Sequence, residues 1–297
     1  MHILIIKLGA TGDVVRTTPL LRRFEGQDIT WLTASKNKSL IEDRERTFEN
    51  VRALSWEDRH VIAGGSFDLT INLEDDPGTA AVLNTIKTVQ LFGAFADSSG
   101  KMQYTESAAK WFDLSLLSTF GREKADELKF QNRQSYQDLI FNGLGFEFKN
   151  EKYLLPATPV SKLKGDVAIA PEAGPVWPMK QWAHYEWLKC ELERRGASVN
   201  LLPLRPTLLE HLADVRGHRC LVSGDSLPMH LAVGSGLPSV ALFNCTSPWE
   251  IHDYGILTKF VSPLLGEFFY KREFDVRATT AISRDEVLGS VLKAIGF

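Results

Sequence analysis

The chain has 297 residues, enough for two domains of ordinary size or one large one. Its 44% hydrophobic and 24% charged residues, with a slightly negative mean hydropathy, are those of an ordinary globular protein. A net charge of −3 offers no field to attract nucleic acid. No apolar run approaches the roughly 18–20 residues that a membrane span needs. The opening Ile3-Leu4-Ile5-Ile6 is too short for a signal-peptide core, which argues for the cytoplasm.

Residues 2–8 are an apolar, β-branched run that predicts a buried first strand, and Gly9-Ala10-Thr11-Gly12 predicts a turn. Asp13 is then placed to cap a helix whose Val14, Val15, Leu20, Leu21 and Phe24 recur at helical spacing. Residues 29–33 and 67–73 read as further strands. Strands separated by helix-length segments indicate a parallel, helix-covered sheet. Residues from about 104 to 150 read as mainly helical, with Gly143 and Gly145 stopping a helix striped by Tyr136, Leu139, Ile140 and Leu144.

Leu155-Pro156-Ala157-Thr158-Pro159 is extended and proline-punctuated, the pattern of an interdomain linker, and divides the chain into domains 1–155 and 156–297. The alternation then repeats, with strands at 166–170, 198–202, 219–222 and 239–243. Helices are expected at 183–195, 207–215 and from Pro228, which suits a first helical turn. Ser283 with Glu286 forms a capping-box pattern for the last helix. The expected fold is α/β: two doubly wound, Rossmann-like parallel-sheet domains facing a cleft. Cys190, Cys220 and Cys245 are odd in number and far apart, which excludes a disulfide framework or a Cys-x-x-Cys metal site. Their apolar flanks predict buried free thiols.

Ligands of open parallel sheets bind at the carboxyl ends of strands, where helix N-termini present free N–H groups. Lys7-Leu8-Gly9-Ala10-Thr11-Gly12-Asp13 is one such end; it lacks the Gly-Lys-Ser/Thr of a P-loop and does not match Gly-x-Gly-x-x-Gly. Asp13 is either a plain helix cap or a carboxylate able to accept a proton from a substrate hydroxyl. Ser223-Gly224-Asp225-Ser226-Leu227-Pro228-Met229-His230 is the second end. Ser226 and the first helical N–H groups suit an oxyanion or phosphate, His230 can face the same anion, and Asp225 can take sugar hydroxyls; the alternative is a simple cap and a satisfied histidine.

Pro171-Glu172-Ala173-Gly174-Pro175 and Lys180-Gln181-Trp182 follow another strand. There Lys180 could neutralise a diphosphate leaving group, and Glu172 could bond an adenine or ribose. Glu74-Asp75-Asp76 reads as a solvated turn in preference to a metal site, and no His-x-x-x-His pair exists. Short basic clusters (Arg22-Arg23, Lys36 with Lys38, Arg44 with Arg46) read either as solvated faces or as a dock for an anionic acceptor.

Taken together, the opening from Ile3 through Asp13-Val14-Val15-Arg16-Thr17-Thr18-Pro19-Leu20-Leu21 resembles that of glycosyltransferase family 9, the ADP-heptose:lipopolysaccharide heptosyltransferases. The run from Ser223 through His230-Leu231-Ala232, on to Pro238-Ser239-Val240-Ala241-Leu242-Phe243 and Thr246-Ser247-Pro248, is similar to that family's other signature. The resemblance spans nearly the whole chain and is weakest at residues 75–150. It implies a GT-B architecture, with acceptor bound by residues 1–155 and nucleotide-sugar by 156–297.

It further implies an inverting, metal-independent transfer of heptose from ADP-heptose to a saccharide such as a lipopolysaccharide core. In that scheme Asp13 is the base and Lys180 holds the departing diphosphate. Gly12, Glu172, Asp225, Ser226, Pro228, Met229 and His230 join Lys180 on the donor, and Lys7, Thr11 and Arg16 serve the acceptor. No metal and no cofactor beyond the nucleotide-sugar are expected. A lipid-linked acceptor would bring the protein to the inner face of the membrane; oligomeric state is left open. Two positions depart from the pattern: Leu227 stands where glycine is usual, and Asn244-Cys245 where Gly-Pro is common. The competing readings are a Rossmann oxidoreductase or epimerase, which would need Gly-x-Gly-x-x-Gly and an acidic end to the second strand, a non-catalytic nucleotide- or carbohydrate-binding relative, and a glycosyltransferase with another donor or a protein or antibiotic acceptor.

Overall fold

The structure is a computed structural model and describes residues 1–42, 50–114 and 120–297. The chain divides into two units, Met1–Ala157 and Thr158–Phe297. The first contains β1 (His2–Ile6), α1 (Thr11–Thr17), α2 (Pro19–Arg23), β2 (Asp28–Thr33), α3 (Lys38–Ile41), β3 (Val51–Ser55) and β4 (Ser66–Asn72). After these come α4 (Pro77–Leu83), β5 (Lys87–Ala96), β6 (Met102–Tyr104), α5 (Ala109–Asp113), α6 (Arg122–Gln131) and α7 (Tyr136–Gly143). Its sheet runs β3-β2-β1-β4-β5-β6, parallel except for the antiparallel β5–β6 pair.

The apolar opening run is explained by burial on both faces. Ile3 and Ile5 enter a core with Val14, Trp31, Ile71, Phe92 and Phe141, whereas Leu4 and Ile6 enter one with Leu32, Leu54, Phe67 and Val82. A strand covered on both sides has no position for a polar residue, so alternation disappears.

The second unit contains β7 (Gly165–Ala170), α8 (Tyr185–Arg194), β8 (Val199–Leu201), α9 (Leu208–Arg216), β9 (His218–Gly224), α10 (Leu227–Gly234) and β10 (Ser239–Phe243). It closes with β11 (Leu257–Val261), α11 (Leu265–Phe268), α12 (Val276–Thr280) and α13 (Arg284–Ile295). Its sheet, β11-β10-β9-β7-β8, is wholly parallel. Val167, Ile169, Cys220, Val222, Val240 and Leu242 pack against Leu188, Leu192, Val287 and Val291 of α8 and α13. Thr207 and Glu210 cap α9 reciprocally, and Ser283 caps α13 by accepting from the Glu286 N–H.

Several expectations need correction. β3, β5 and β11 carry too few alternating apolar residues to be read as strands; β5 in particular is exposed or half-buried over Lys87–Leu91. The stretch expected to be mainly helical begins with β6, which continues the sheet. Cys220 and Cys245 are buried, but Cys190 is exposed on α8. Among the described residues no helix is long and apolar enough to cross a membrane.

Candidate active site

The first sheet reverses its winding between β1 and β4, the place where ligands of open α/β sheets settle. Lys7 follows β1 there and is only 5% exposed. Its Nζ donates to Glu74 Oε1 at 2.8 Å and to the Gly9 carbonyl. Glu74 Oε1 also accepts the N–H groups of Leu8 (2.6 Å) and Gly9 (3.2 Å). One carboxylate thus neutralises the lysine and takes up the turn's amide donors, so this turn does not cradle phosphate as a Gly-rich dinucleotide loop does. Lys7 is a buried tie beneath the turn.

Nor is Glu74-Asp75-Asp76 merely solvated: Asp75 accepts the Tyr104 hydroxyl at 2.6 Å, and Asp76 caps α4 through the N–H groups of Gly78 and Thr79. Among the described residues no group of His, Cys, Asp and Glu is arranged to hold a metal ion.

Asp13 is not the helix cap expected of it. Ala10 occupies that position, and Asp13 is the third residue of α1, its N–H donating to the Ala10 carbonyl at 2.9 Å. The two residues before it, Thr11 and Gly12, are already helical. A carboxylate in the first turn is favoured by the helix dipole. Arg16, one turn on, donates to Asp13 Oδ1 through Nε (3.0 Å) and Nη2 (2.9 Å).

The guanidinium lies 3.9 Å over the Tyr136 ring, and Gln137 Nε2 holds the Arg16 carbonyl at 2.7 Å. Tyr136 is buried and shares a 2.6 Å hydrogen bond with Thr17. Burial, then the charge of Asp13, push its phenol above the usual range, so it stays neutral. The result is a stack of tyrosine, arginine and carboxylate in which the Asp13 side chain remains a third exposed. Thr11 is used elsewhere, donating to Asn37 Oδ1 at 2.7 Å. Tyr136 was visible in the sequence only as part of a helical stripe, and Gln137 carried no signal there.

In the second unit the winding reverses between β7 and β9, and the remaining expected residues lie at those carboxyl ends. β7 leads through an exposed Glu172 to the turn Pro178–Lys180. β9 ends at Gly224 against that turn: a side chain there would meet the Lys180 carbonyl at 2.4 Å, so only glycine permits the approach. This contact brings Lys180 Nζ to 3.0 Å from Asp225 Oδ2, in a pair whose side chains are 19% and 13% exposed.

Burial alone would raise the Asp225 pKa, but the charges of Lys180 and His230, with the Lys180 hydrogen bond, bring it down to about 2. His230 lies on α10 and is buried. Pro228 and Met229 are buried too, Met229 without exposed surface, so both support the helix start from behind.

Ser226 stands at the N-cap of α10 but makes no capping bond, and its buried hydroxyl finds no hydrogen-bond partner among the described residues. The bland reading of this serine as a cap therefore fails. A hydroxyl at a helix start, beside a lysine, is suited to the oxygens of an anion. β10 ends beside β9, with Leu242 opposite Gly224, and delivers Asn244, Thr246 and Ser247 to the same edge, all buried.

Three members of the basic clusters are engaged within the fold. Arg22 donates to the Lys152 carbonyl at 2.8 Å, Arg23 lies 4.0 Å over Phe146, and Lys38 pairs with Glu42 at 3.0 Å. Arg44 and Arg46 lie outside the described residues.

No family model matches the chain, and no curated protein matches it. Solved structures do. The family 9 glycosyl transferase of Veillonella parvula DSM 2008 superposes with a TM-score of 0.65 at 15% identity, over 99% of this chain and 97% of that one. The E. coli heptosyltransferase WaaC with ADP gives 0.65 at 14%, over 99% and 100%. The E. coli ADP-heptose lps heptosyltransferase II gives 0.61 at 16%, over 99% and 98%. What such distant likeness establishes is architecture: the chain has the α/β, GT-B-type fold of these proteins, built from two Rossmann-like units.

Proposed function

We propose that this protein is an inverting, metal-independent glycosyltransferase that moves heptose from ADP-heptose to a saccharide acceptor such as a lipopolysaccharide core. The observation that carries the reading is the carboxyl edge of the second sheet. There a lysine, a half-buried carboxylate, an unpartnered serine hydroxyl and a helix start converge at the switch point of a fold shared with heptosyltransferases.

In this reading the second unit binds the nucleotide-sugar. Lys180, Ser226 and the first N–H groups of α10 hold the diphosphate, and their charge stabilises it as it leaves. Gly224 and the Asp225 carboxylate keep the lysine in place. The first unit binds the acceptor. Asp13 receives the proton of the attacking hydroxyl, which displaces the diphosphate at the anomeric carbon in one inverting step, while Arg16, braced on Tyr136, fixes the carboxylate. Lysine and helix start supply the positive charge, so no cation is required in this scheme. Gly12, Thr11 and Glu172 border the two centres. A lipid-linked acceptor would place the protein at the inner face of the membrane.

The test is thermal stabilisation by ADP, UDP, GDP, NAD and ADP-heptose, with and without magnesium, followed by transfer assays. A ligand at a hundred times its dissociation constant stabilises by about 2.7 kcal/mol. Magnesium-independent shifts with ADP and ADP-heptose support the reading, as does Asp13→Ala binding donor normally without transferring sugar. A response to NAD alone, or undiminished transfer by Asp13→Ala, refutes it.

A further inference from the structure

Asn244 directly follows β10 and is 1% exposed. Its Nδ2 donates to the Gln181 carbonyl at 2.8 Å, gripping the residue beside Lys180. That bond fixes the orientation of the amide, because a flipped group would set oxygen against oxygen. Asn244 Oδ1 is therefore an acceptor, and it is buried with no hydrogen-bond partner among the described residues. So is the hydroxyl of Ser247, three residues on. A desolvated carbonyl without a donor gains more from an arriving O–H than the same group gains in water. Phosphate oxygens bring no proton to it, whereas a sugar hydroxyl does.

We infer that Asn244 is a specificity-determining residue of the donor site. Its amide nitrogen holds the Lys180–Gln181 segment, and its carbonyl oxygen accepts a hydrogen bond from a hydroxyl of the transferred sugar. This rests on the donor site proposed above and deepens it: the same side chain couples the lysine's placement to recognition of the group that departs from the diphosphate.

The experiment measures dissociation constants of ADP and ADP-heptose by titration calorimetry, on the intact wild-type chain and on Asn244→Ala, Asn244→Ser and Asn244→Asp. ADP carries ribose and diphosphate but no transferred sugar, so the ratio of the two constants isolates the sugar contact. In Asn244→Ala and Asn244→Ser, which cannot reach with an acceptor, the ratio moves about tenfold against ADP-heptose. Asn244→Asp keeps the acceptor and loses the donor, so both ligands weaken while the ratio stays near that of wild type.

Equal weakening of both ligands by Ala and Ser reduces Asn244 to a brace for Lys180 and overturns the inference, as does an unchanged ratio. If Asn244→Ala does not fold, Asn244→Ser reads the same ratio. Wild-type protein that binds neither ligand overturns the donor site itself, and that result is seen before any variant is made.

Discussion

Replacing Asp225 by asparagine keeps shape and removes one charge. The carboxylate is 13% exposed and 3.0 Å from Lys180 Nζ, itself 19% exposed, so the pair interacts with little screening by solvent. Its pKa falls from 3.8 to about 2, a depression worth about 2 kcal/mol at about 1.4 kcal/mol per unit. Asp225→Asn should therefore lower stability at neutral pH by about 2 kcal/mol, or about 4–8 °C in melting temperature.

Because the folded-state pKa is the lower one, this contribution is complete above the unfolded value. It fades as pH falls from about 4 towards 2, so the wild-type and variant stability curves converge in that window. Urea unfolding from pH 7 down to pH 3 measures it. Lys180→Met supplies the other arm of a double-mutant cycle, in which the double variant is destabilised by less than the sum of the two. A difference that stays constant with falling pH, or strict additivity, refutes the account of Asp225 as an ionised partner of Lys180.

Three further outcomes follow from the same geometry. Gly224→Ala drives a methyl group to 2.4 Å from the Lys180 carbonyl, so it should displace that turn, cost about 1–3 kcal/mol and weaken ADP binding; a crystal structure with Lys180 unmoved would contradict this. Glu74→Ala leaves Lys7 charged and buried with the Leu8 and Gly9 amides unbonded, a loss of about 3–5 kcal/mol by chemical denaturation, and Glu74→Ala/Lys7→Met should recover part of it. Tyr136→Phe loses the Thr17 hydrogen bond and the long one to the Asp13 carbonyl, about 1 kcal/mol, and keeps the ring under Arg16, so transfer should survive; Tyr136→Leu removes that platform and should lower kcat more than it raises the donor KM.

The sequence carried the α/β alternation because buried parallel strands need unbroken apolar runs. Ile3 to Ile6 and Val240 to Phe243 have no other explanation, and the caps at Thr207 and Ser283 act within one turn of chain. The motif at Asp225 to His230 was legible for the same local reason: a strand end, small residues, a proline and a helix.

The pairing of distant side chains was not legible. Lys7 with Glu74, Lys180 with Asp225, Arg16 with Tyr136 and Asn244 with Gln181 are separated by tens of residues or more, and no spacing rule relates their positions. β3 and β5 were missed because their strand character comes from neighbours in the sheet and not from their own pattern. Local chemistry along the chain chose the elements and their ends. Which charge meets which, and which polar groups are left buried without a partner among the described residues, was decided only when the parallel strands brought their carboxyl ends to one edge.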